Sequence, residues 1–239
     1  MLFDLDGTLL DHDRAERDAI VDWSASQGWP ARVSGVAVES VWHQITEDAF
    51  ADYRAGRLTL RGQRRARVRR LLSAVGDDRA WLDDDAIDIV FEEYRTRYEA
   101  SWTAFPDVLP CVQAVSATHR VAVLSNGDLS EKLAKVHAIG LDPYVEITMA
   151  SSDLGFAKPD PRAFHSSLMR LGVVGPDVVY VGDQLDLDAR AANAAGLSGL
   201  WLDRTGHGSD EPDVRMIRTL DELPPWLAGP NGARRQDHA

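Results

Sequence analysis

Carboxylate and hydroxyl side chains follow the short apolar runs of this sequence, at the point where each run ends. Asp4 and Asp6 follow the first run, Ser125 and Asn126 follow a second, and Asp183 follows a third. Crowded carboxylates repel one another, and several of them stay ionised only at a cost unless a cation compensates the charge. Mg²⁺ is a hard cation that prefers oxygen ligands and suits a site that also holds phosphate. These residue types therefore predict metal-assisted chemistry on a phosphate group.

The spacing within the first group is also informative. If extended backbone continues through Asp4-Leu-Asp6, both carboxylates share one face, so that one can attack while the other delivers a proton. Gly7 then permits a turn and a close approach of the backbone. Lys158, which precedes a predicted helix, supplies a positive charge that offsets negative charge in a transition state. A strand-end Asp is usually a cap or turn residue, so the ordered set rather than any single member carries the prediction.

Apolar runs and helical segments alternate in the second half of the chain, which predicts the scaffold for these residues. The predicted strands cover 1–3, 121–124, 145–148, 178–181 and 200–202, and the predicted helices cover about 129–139, 161–171 and 186–195. Apolar strands that alternate with helices are typical of a parallel sheet covered on both faces. Ligands of such sheets bind at the carboxyl ends of the strands. We therefore predict a doubly wound α/β fold that gathers the polar residues at one edge.

A long helical stretch interrupts this pattern between the first and second strands. Residues 13–101 contain four predicted helices, at about 13–28, 36–54, 60–75 and 79–98, and no predicted strand. We interpret this stretch as an all-helical domain inserted into a discontinuous core of residues 1–12 and 102–228. Residues 229–239 are polar, include Gly and Pro, and are predicted to form a disordered tail.

The ordered motifs resemble those of the haloacid dehalogenase (HAD) superfamily. They are Asp4-Leu-Asp-Gly-Thr-Leu9, Leu124-Ser-Asn-Gly127, Lys158-Pro-Asp160 and Gly182-Asp-Gln-Leu-Asp-Leu-Asp188. The resemblance implies a five-stranded Rossmann-like core with strand order 5-4-1-2-3, in which the strand before Asp183 lies beside the strand before Asp4. It also implies that residues 13–101 are the helical cap of a phosphatase-like branch, and that the protein is a phosphoric monoester hydrolase.

The same resemblance assigns catalytic roles. Asp4 would be the nucleophile that accepts the phosphoryl group, and Asp6 would be the general acid and base. Lys158 would balance charge at the nucleophile. Ser125 would bind the substrate phosphate, and the amides of Ser125 and Asn126 can hold further phosphate oxygens.

The resemblance also implies a metal site. Mg²⁺ would be held by the Asp4 carboxylate, the backbone carbonyl of Asp6 and Asp183. Asp188 would act from outside this ligand set and orient either Lys158 or a metal-bound water. The expected reaction is Mg²⁺-dependent hydrolysis of a small phosphate monoester through an aspartyl-phosphate on Asp4.

Other reactions on the same scaffold stay open. Dehalogenases of the superfamily use the same nucleophile without a metal but differ at the second Asp of the first motif, so Asp6 favours a phosphatase. A Schiff base through a cap lysine is disfavoured because residues 13–101 contain no lysine. A phosphomutase shares the phosphatase chemistry, and a catalytically silent binding protein is the remaining alternative. The expected substrate is a small phosphorylated metabolite: a sugar phosphate, phosphoglycolate or a nucleoside monophosphate.

Composition limits the partners and the location. The 239 residues carry 26 basic and 38 acidic side chains, and the net charge of −12 is unlike the basic balance of a nucleic-acid-binding protein. No apolar run approaches the roughly 20 residues of a membrane span, and no signal peptide is recognised, so we expect a cytoplasmic protein without membrane partners. The single Cys111 excludes an internal disulfide and a cysteine-based zinc site. Monomer and dimer are both open.

An arginine-rich stretch in the inserted domain has two interpretations. Eight arginines lie between residues 54 and 70, with no acidic residue among them. Arg61, Arg64 and Arg65 continue the apolar face of the predicted helix, where one of them could contact an anionic substrate, whereas Arg67 is predicted to point elsewhere. We favour the alternative, in which the stretch pairs with the acidic segment 77–93, because a run of charge is usually a solvated face.

Overall fold

A computed structural model describes residues 1–206 and 214–229. The chain divides into two compact units, one formed by residues 1–11 together with the chain from 103 onward, and the other by residues 12–102. The tail that was predicted to be disordered lies, apart from Gly229, outside the described residues. Among the described helices, none is both long enough and apolar enough to cross a membrane.

The described residues form eight strands and ten α-helices. The strands are β1 (Leu2–Phe3), β2 (Arg32–Val33), β3 (Val36–Ala37), β4 (Ala122–Ser125), β5 (Ile147–Ala150), β6 (Val179–Gly182), β7 (Ser198–Leu202) and β8 (Arg215–Ile217). The helices are α1 (His12–Gln27), α2 (Val38–Arg54), α3 (Leu60–Val75), α4 (Asp84–Ala100), α5 (Val108–Ser116), α6 (Leu129–Ala138), α7 (Ser151–Leu154), α8 (Pro161–Leu171), α9 (Ala191–Ala194) and α10 (Leu223–Ala228). A π-helical turn covers Leu185–Arg190.

The first unit is built around a parallel sheet with the order β5-β4-β1-β6-β7-β8. Its strand β1 pairs with β4 on one side and with β6 on the other. The predicted α/β fold class is therefore confirmed, and the strand before Asp183 lies beside the strand before Asp4. The sheet has six strands rather than the expected five, because β8 pairs in parallel with β7. Strand β8 has only three residues, of which Ile217 alone is buried, so it leaves no apolar run in the sequence.

Apolar side chains from the strands and the flanking helices form the core of this unit. Leu2 of β1 and Tyr180 of β6 are fully buried in one hydrophobic cluster with Phe164 of α8 and Ala192 of α9. The rings of Phe164 and Tyr180 meet edge to face at 5.2 Å between centroids. Because Tyr180 contributes its ring to this cluster, its hydroxyl is buried as well and requires a hydrogen-bond partner.

Capping residues determine where the helices after the site loops begin. Asp128 accepts hydrogen bonds from the backbone N–H groups of Ser130 and Glu131 at the start of α6. Asp160 accepts the backbone N–H of Arg162 at the start of α8. A side-chain acceptor at this position satisfies backbone donors that have no partner within the helix. These local signals hold the loops that carry Asn126 and Lys158 directly before the two helices.

The second unit contains α1 to α4, whose bounds lie near those of the predicted helices, and a hairpin that the sequence did not predict. Strands β2 and β3 pair antiparallel through a turn at Ser34 and Gly35, both with positive φ. The prediction of no strand here was wrong because two-residue strands are too short to produce a periodic pattern. The helix predicted from residue 79 begins instead at Asp84, because Asp83 caps it by accepting the N–H of Ala86.

Six of the eight arginines of the arginine-rich stretch lie on α3, and those described here contact residues of the same unit. Arg61 and Arg65 each donate from Nε to Asp88 of α4 at 2.8 Å. The Arg64 guanidinium lies over the ring of Phe91, 5.5 Å from its centroid. The two hydrogen bonds lower the pKa of Asp88 well below its ordinary value, with Arg65 the stronger partner. Pairing with the acidic helix α4 therefore accounts for Arg61 and Arg65, whereas Arg64 contacts an aromatic ring of the same helix.

Arg67 departs from the orientation predicted for it. Its side chain is 6% exposed and lies 3.1 Å from Glu16 of α1, which is also buried. The guanidinium stacks over the ring of Trp42 at 4.5 Å. A planar, weakly hydrated cation is suited to such an aromatic environment. Arg67 and Glu16 are therefore a buried ion pair inside the helical unit.

Candidate active site

The predicted nucleophile lies at the end of β1, in the interior of the sheet. The backbone N–H of Asp4 donates to the carbonyl of Val181 at 2.8 Å, which extends the pairing of β1 with β6 by one residue. Burial raises the pKa of Asp4 to about 6, although the Lys158 ammonium opposes the rise, and the neighbouring Asp188 adds to it. Asp4 is thus a desolvated carboxyl group that needs nearby positive charge to remain ionised.

Lys158 supplies such a charge through three hydrogen bonds. Its Nζ donates to Oδ1 of Asp4 at 2.8 Å, to Oδ1 of Asp188 at 2.5 Å and to the hydroxyl of Tyr180 at 2.7 Å. An ammonium group has three donors, so all of them have partners. Burial alone would lower the pKa of Lys158, but Asp188 and Asp4 raise it above its ordinary value. The lysine therefore stays charged beside Asp4.

Asp188 and Tyr180 hold this lysine in place. Asp188 is fully buried, and its Oδ2 accepts the backbone N–H of Gln184 at 3.0 Å while its Oδ1 accepts from Lys158. Gly182 leaves room for that carboxylate, because a Cβ there would lie only 2.4 Å from Cγ of Asp188. These contacts place the Asp188 carboxylate where it can orient Lys158. This is one of the two roles that the family resemblance implies for Asp188.

Asp183 forms a cluster of three carboxylates with Asp4 and Asp188. One oxygen from each lies within 4.8 Å of the others. The hydroxyl of Thr8 donates to Oδ1 of Asp183 at 3.0 Å. Burial, followed by the charges of Asp4 and Asp188, raises the pKa of Asp183 to about 8. Gly7, with φ of 80°, permits this approach, because a Cβ there would lie 2.5 Å from Oδ2 of Asp183.

The cluster fits a divalent cation. Its donors are carboxylate oxygens, which are the ligands that Mg²⁺ prefers. Burial and the neighbouring carboxylates raise the pKa values of Asp4 and Asp183, and a bound cation would favour the ionised form of both groups. Both Asp188 oxygens already accept hydrogen bonds. Asp4 and Asp183 are therefore the carboxylates best suited to hold a metal, and the backbone carbonyl of Asp6 stays a prediction.

Ser125 and Asn126 lie at the end of β4, beside the loop that carries Lys158. Ser125 is the last residue of the strand and is buried. The Asn126 side chain donates from Nδ2 to the Lys158 carbonyl at 2.9 Å, and its Oδ1 accepts the Lys158 N–H at 2.8 Å. The side-chain amide therefore fixes the Lys158 loop against β4. The predicted phosphate contact of Asn126 depends on its backbone N–H.

The Asp6 carboxylate lies between two lysines and outside the carboxylate cluster found among the described residues. Its Oδ2 accepts from Nζ of Lys132 at 2.5 Å, and its Oδ1 accepts from Nζ of Lys135 at 2.8 Å. Both lysines belong to α6. Two of the three lysines in the chain therefore contact Asp6, and the third contacts Asp4.

Four residues that contact the predicted site residues were not predicted from the sequence: Thr8, Lys132, Lys135 and Tyr180. Tyr180 carried a usable signal, because it is the one residue with a polar tip in the apolar run 178–181. Lys132 and Lys135 carried a second signal, because two residues three apart on a helix are neighbours on its surface. Nothing local in the sequence, however, shows that the partner of both lysines is Asp6.

Comparison with known proteins relates this arrangement to enzymes of two kinds. A model of the haloacid dehalogenase-like hydrolase family matches residues 1–196. A glyceraldehyde 3-phosphate phosphatase from Methanopyrus kandleri is 31% identical over 121 residues, which cover 50% of each chain. An (S)-2-haloacid dehalogenase 4A from Burkholderia cepacia is 31% identical over 130 residues, 53% of this chain and 56% of the relative. The chain thus spans about half the length of these curated relatives.

A solved structure extends the similarity over nearly the whole chain. The 2-haloacid dehalogenase from Pseudomonas syringae pv. Tomato DC3000 is 28% identical with a TM-score of 0.67, and the match covers 95% of this chain and 96% of that one. Similarity therefore includes a phosphatase and dehalogenases alike, and the residues of the site must distinguish the two reactions.

Proposed function

Because the chain belongs to the haloacid dehalogenase-like hydrolase family, we propose that it is a Mg²⁺-dependent phosphatase that hydrolyses a small phosphate monoester through an aspartyl-phosphate on Asp4. The observation that carries the proposal is the close approach of the buried Asp4 and the half-buried Asp183, two carboxylates that a bound cation would hold in their ionised forms. Asp6 adds a second support, because an alkoxide leaving group requires a proton whereas a halide does not.

In the proposed first step, a carboxylate oxygen of Asp4 attacks phosphorus in line with the ester oxygen. The ester P–O bond breaks, and Asp6 gives its proton to the departing alkoxide. Lys158 orients Asp4 through its 2.8 Å hydrogen bond and offsets negative charge on the transferring group. Ser125 and the backbone N–H of Asn126 bind phosphate oxygens. The product of the step is an acyl phosphate on Asp4.

In the proposed second step, water replaces Asp4 on phosphorus. Asp6 takes a proton from the water as its oxygen attacks, the bond between Asp4 and phosphorus breaks, and inorganic phosphate leaves. Asp4, Asp183 and the backbone carbonyl of Asp6 would hold Mg²⁺, which would supply positive charge to the phosphoryl oxygens. Tyr180 keeps Lys158 directed at Asp4 throughout.

The substrate is proposed to be a small phosphorylated metabolite. Relatives named as phosphatases of glyceraldehyde 3-phosphate, phosphoserine and ribulose-1,5-bisphosphate match half of the chain or less. They support the phosphate ester as the common chemical group without specifying the leaving group. Sugar phosphates, phosphoglycolate and nucleoside monophosphates therefore form the screening panel.

Phosphate release from this panel, with Mg²⁺ and with EDTA, tests the proposal. We expect turnover to require Mg²⁺ and Asp4→Asn to reduce it to background, because the amide cannot act as the nucleophile. Asp142→Asn is the control, since this carboxylate is exposed and forms an ion pair with His137. Mg²⁺-dependent turnover that survives in Asp4→Asn contradicts the proposed mechanism.

A 2-haloacid dehalogenase is the second candidate, favoured by similarity to proteins of that name over half of the chain and over nearly all of it. Asp4 would then attack the carbon that bears the halogen, and the halide would leave as an anion without needing a proton. Halide release from 2-chloropropionate in EDTA, lost in Asp4→Asn, is the outcome expected of this reaction. The same assay with Mg²⁺ and a phosphate ester separates the two candidates.

A further inference from the structure

Two buried lysines hold the carboxylate of Asp6 by both of its oxygens. The Nζ of Lys132 lies 2.5 Å from Oδ2, and the Nζ of Lys135 lies 2.8 Å from Oδ1. We infer that Lys132 and Lys135 are positioning residues that set the direction in which Asp6 delivers its proton to the leaving group. The inference rests on the proposed phosphatase reaction and adds two residues to it.

Because the two lysines are buried, this cluster of three side chains presents its Asp6 carboxylate to solvent. Their side chains are 5% and 2% exposed, whereas the Asp6 side chain is 23% exposed. The carboxylate is thus the accessible member, and the two ammonium groups lie behind it. A carboxylate held at both oxygens has little freedom to rotate, and fixed geometry of this kind is what efficient proton transfer requires.

Glu131, on the same helix as the two lysines, completes the cluster. It lies 2.9 Å from Nζ of Lys135 and 3.6 Å from Nζ of Lys132. In the ionised state of Asp6, which follows transfer of its proton to the leaving group, the four side chains together carry two positive and two negative charges, so the buried lysines are balanced without a phosphate. This balance assigns the two lysines to Asp6, while Lys158 serves Asp4.

The backbone of the second motif makes room for Lys132. Gly127 has φ of 127°, and a Cβ there would lie 2.9 Å from Cε of Lys132. Asp128 then starts α6 by accepting the N–H of Ser130. The turn that follows the predicted phosphate-binding residue Ser125 therefore also directs α6 toward Asp6. The phosphate-binding loop and the acid–base group are coupled through one short segment.

Two phosphate esters distinguish a positioning role from a structural one. Departure of an alkoxide from glycerol 1-phosphate depends on a proton from Asp6, whereas 4-nitrophenolate leaves without one. The parameter kcat/KM reports the step in which the leaving group departs. A misplaced Asp6 therefore lowers kcat/KM for the alkyl ester selectively, and general loss of folding lowers it for both.

The experiment measures kcat/KM for both esters with Mg²⁺ in the wild type, Lys135→Met, Lys132→Met and Lys135→Arg. We expect Lys135→Met to lower the value for glycerol 1-phosphate by about 10²-fold, the typical cost of a misplaced group. The value for 4-nitrophenyl phosphate should stay within a few fold of wild type, and Lys135→Arg should restore part of the loss. In an Asp6→Asn background, Lys135→Met should cause no further loss, because the group that it positions is gone.

A matched control is Leu133→Met, which changes an exposed position of the same helix and should leave the ratio of the two kcat/KM values unchanged. Circular dichroism checks folding. If the Met variants do not fold, Lys135→Arg carries the test with a smaller selective loss. Equal loss on both esters, or further loss in the Asp6→Asn background, overturns the positioning role alone. A wild type that hydrolyses neither ester overturns the proposed function, and the inference with it.

Discussion

Replacing Asp183 with Asn is predicted to stabilise the metal-free protein at neutral pH and to abolish its stabilisation by Mg²⁺. In the fold, burial and the neighbouring carboxylates Asp4 and Asp188 raise the pKa of Asp183 from 3.8 to about 8. An Asn side chain has the same shape, and its oxygen can still accept the hydrogen bond from Thr8. The substitution therefore removes the charge while keeping the contact.

The direction in which stability changes with pH follows from the number of protons that each state binds. Unfolded Asp183 loses its proton near pH 3.8, whereas the folded carboxyl keeps it until about pH 8. The folded state binds more protons between these values, so the free energy of unfolding falls as the pH rises through this window. Neutral pH lies about three units above the ordinary pKa of an Asp side chain, and each unit corresponds to about 1.4 kcal/mol of unfolding free energy. The Asp183 carboxyl therefore destabilises the metal-free fold by as much as about 4 kcal/mol.

Urea unfolding followed by tryptophan fluorescence, at pH 5 and pH 7.5, measures this effect. In EDTA we expect the wild type to lose stability between the two values and Asp183→Asn to lose much less. Mg²⁺ should restore the wild type only, since a ligand that binds the folded state stabilises it. Asp160→Asn is the control, because Arg162 lowers the pKa of Asp160 to about 2 and its contribution is constant above pH 5. An Asp183→Asn protein no more stable than wild type at pH 7.5 in EDTA would refute the reasoning.

Two further substitutions test buried contacts. Tyr180→Phe removes the hydroxyl that accepts from Lys158 at 2.7 Å, so kcat should fall with KM unchanged, and the free energy of unfolding should fall by about 1–3 kcal/mol. Steady-state kinetics measures the first effect and urea unfolding the second. An unchanged kcat would contradict the role given to the hydroxyl. Arg67→Met leaves Glu16 buried without its partner and should lower the free energy of unfolding by about 3–5 kcal/mol. Arg61→Ala, its exposed counterpart, should hardly move the urea midpoint, and similar shifts in the two variants would show that burial is not the deciding factor.

The fold class was predictable because its signals are local. Runs such as 121–124 and 178–181 are apolar over the length of a strand, and residues such as Asp160 mark helix starts. The adjacency of β1 and β6 was implied by the family resemblance. Elements with weak local signals were missed for the same reason: β8 and the hairpin of β2 and β3 have two or three residues per strand.

The sequence by itself determined which groups are available for chemistry: Asp4 and Asp6 after the first strand, Ser125 after the second, Lys158 before a helix, and Asp183. Tertiary structure decided how these charges are paired. Lys158 bonds to Asp4 from 154 residues away, and Lys132 and Lys135 bond to Asp6 from 126 and 129 residues away. Hydrophobic periodicity specifies elements over a few neighbouring residues, whereas an ion pair depends on a separation of about 3 Å that only the packed sheet and helices create.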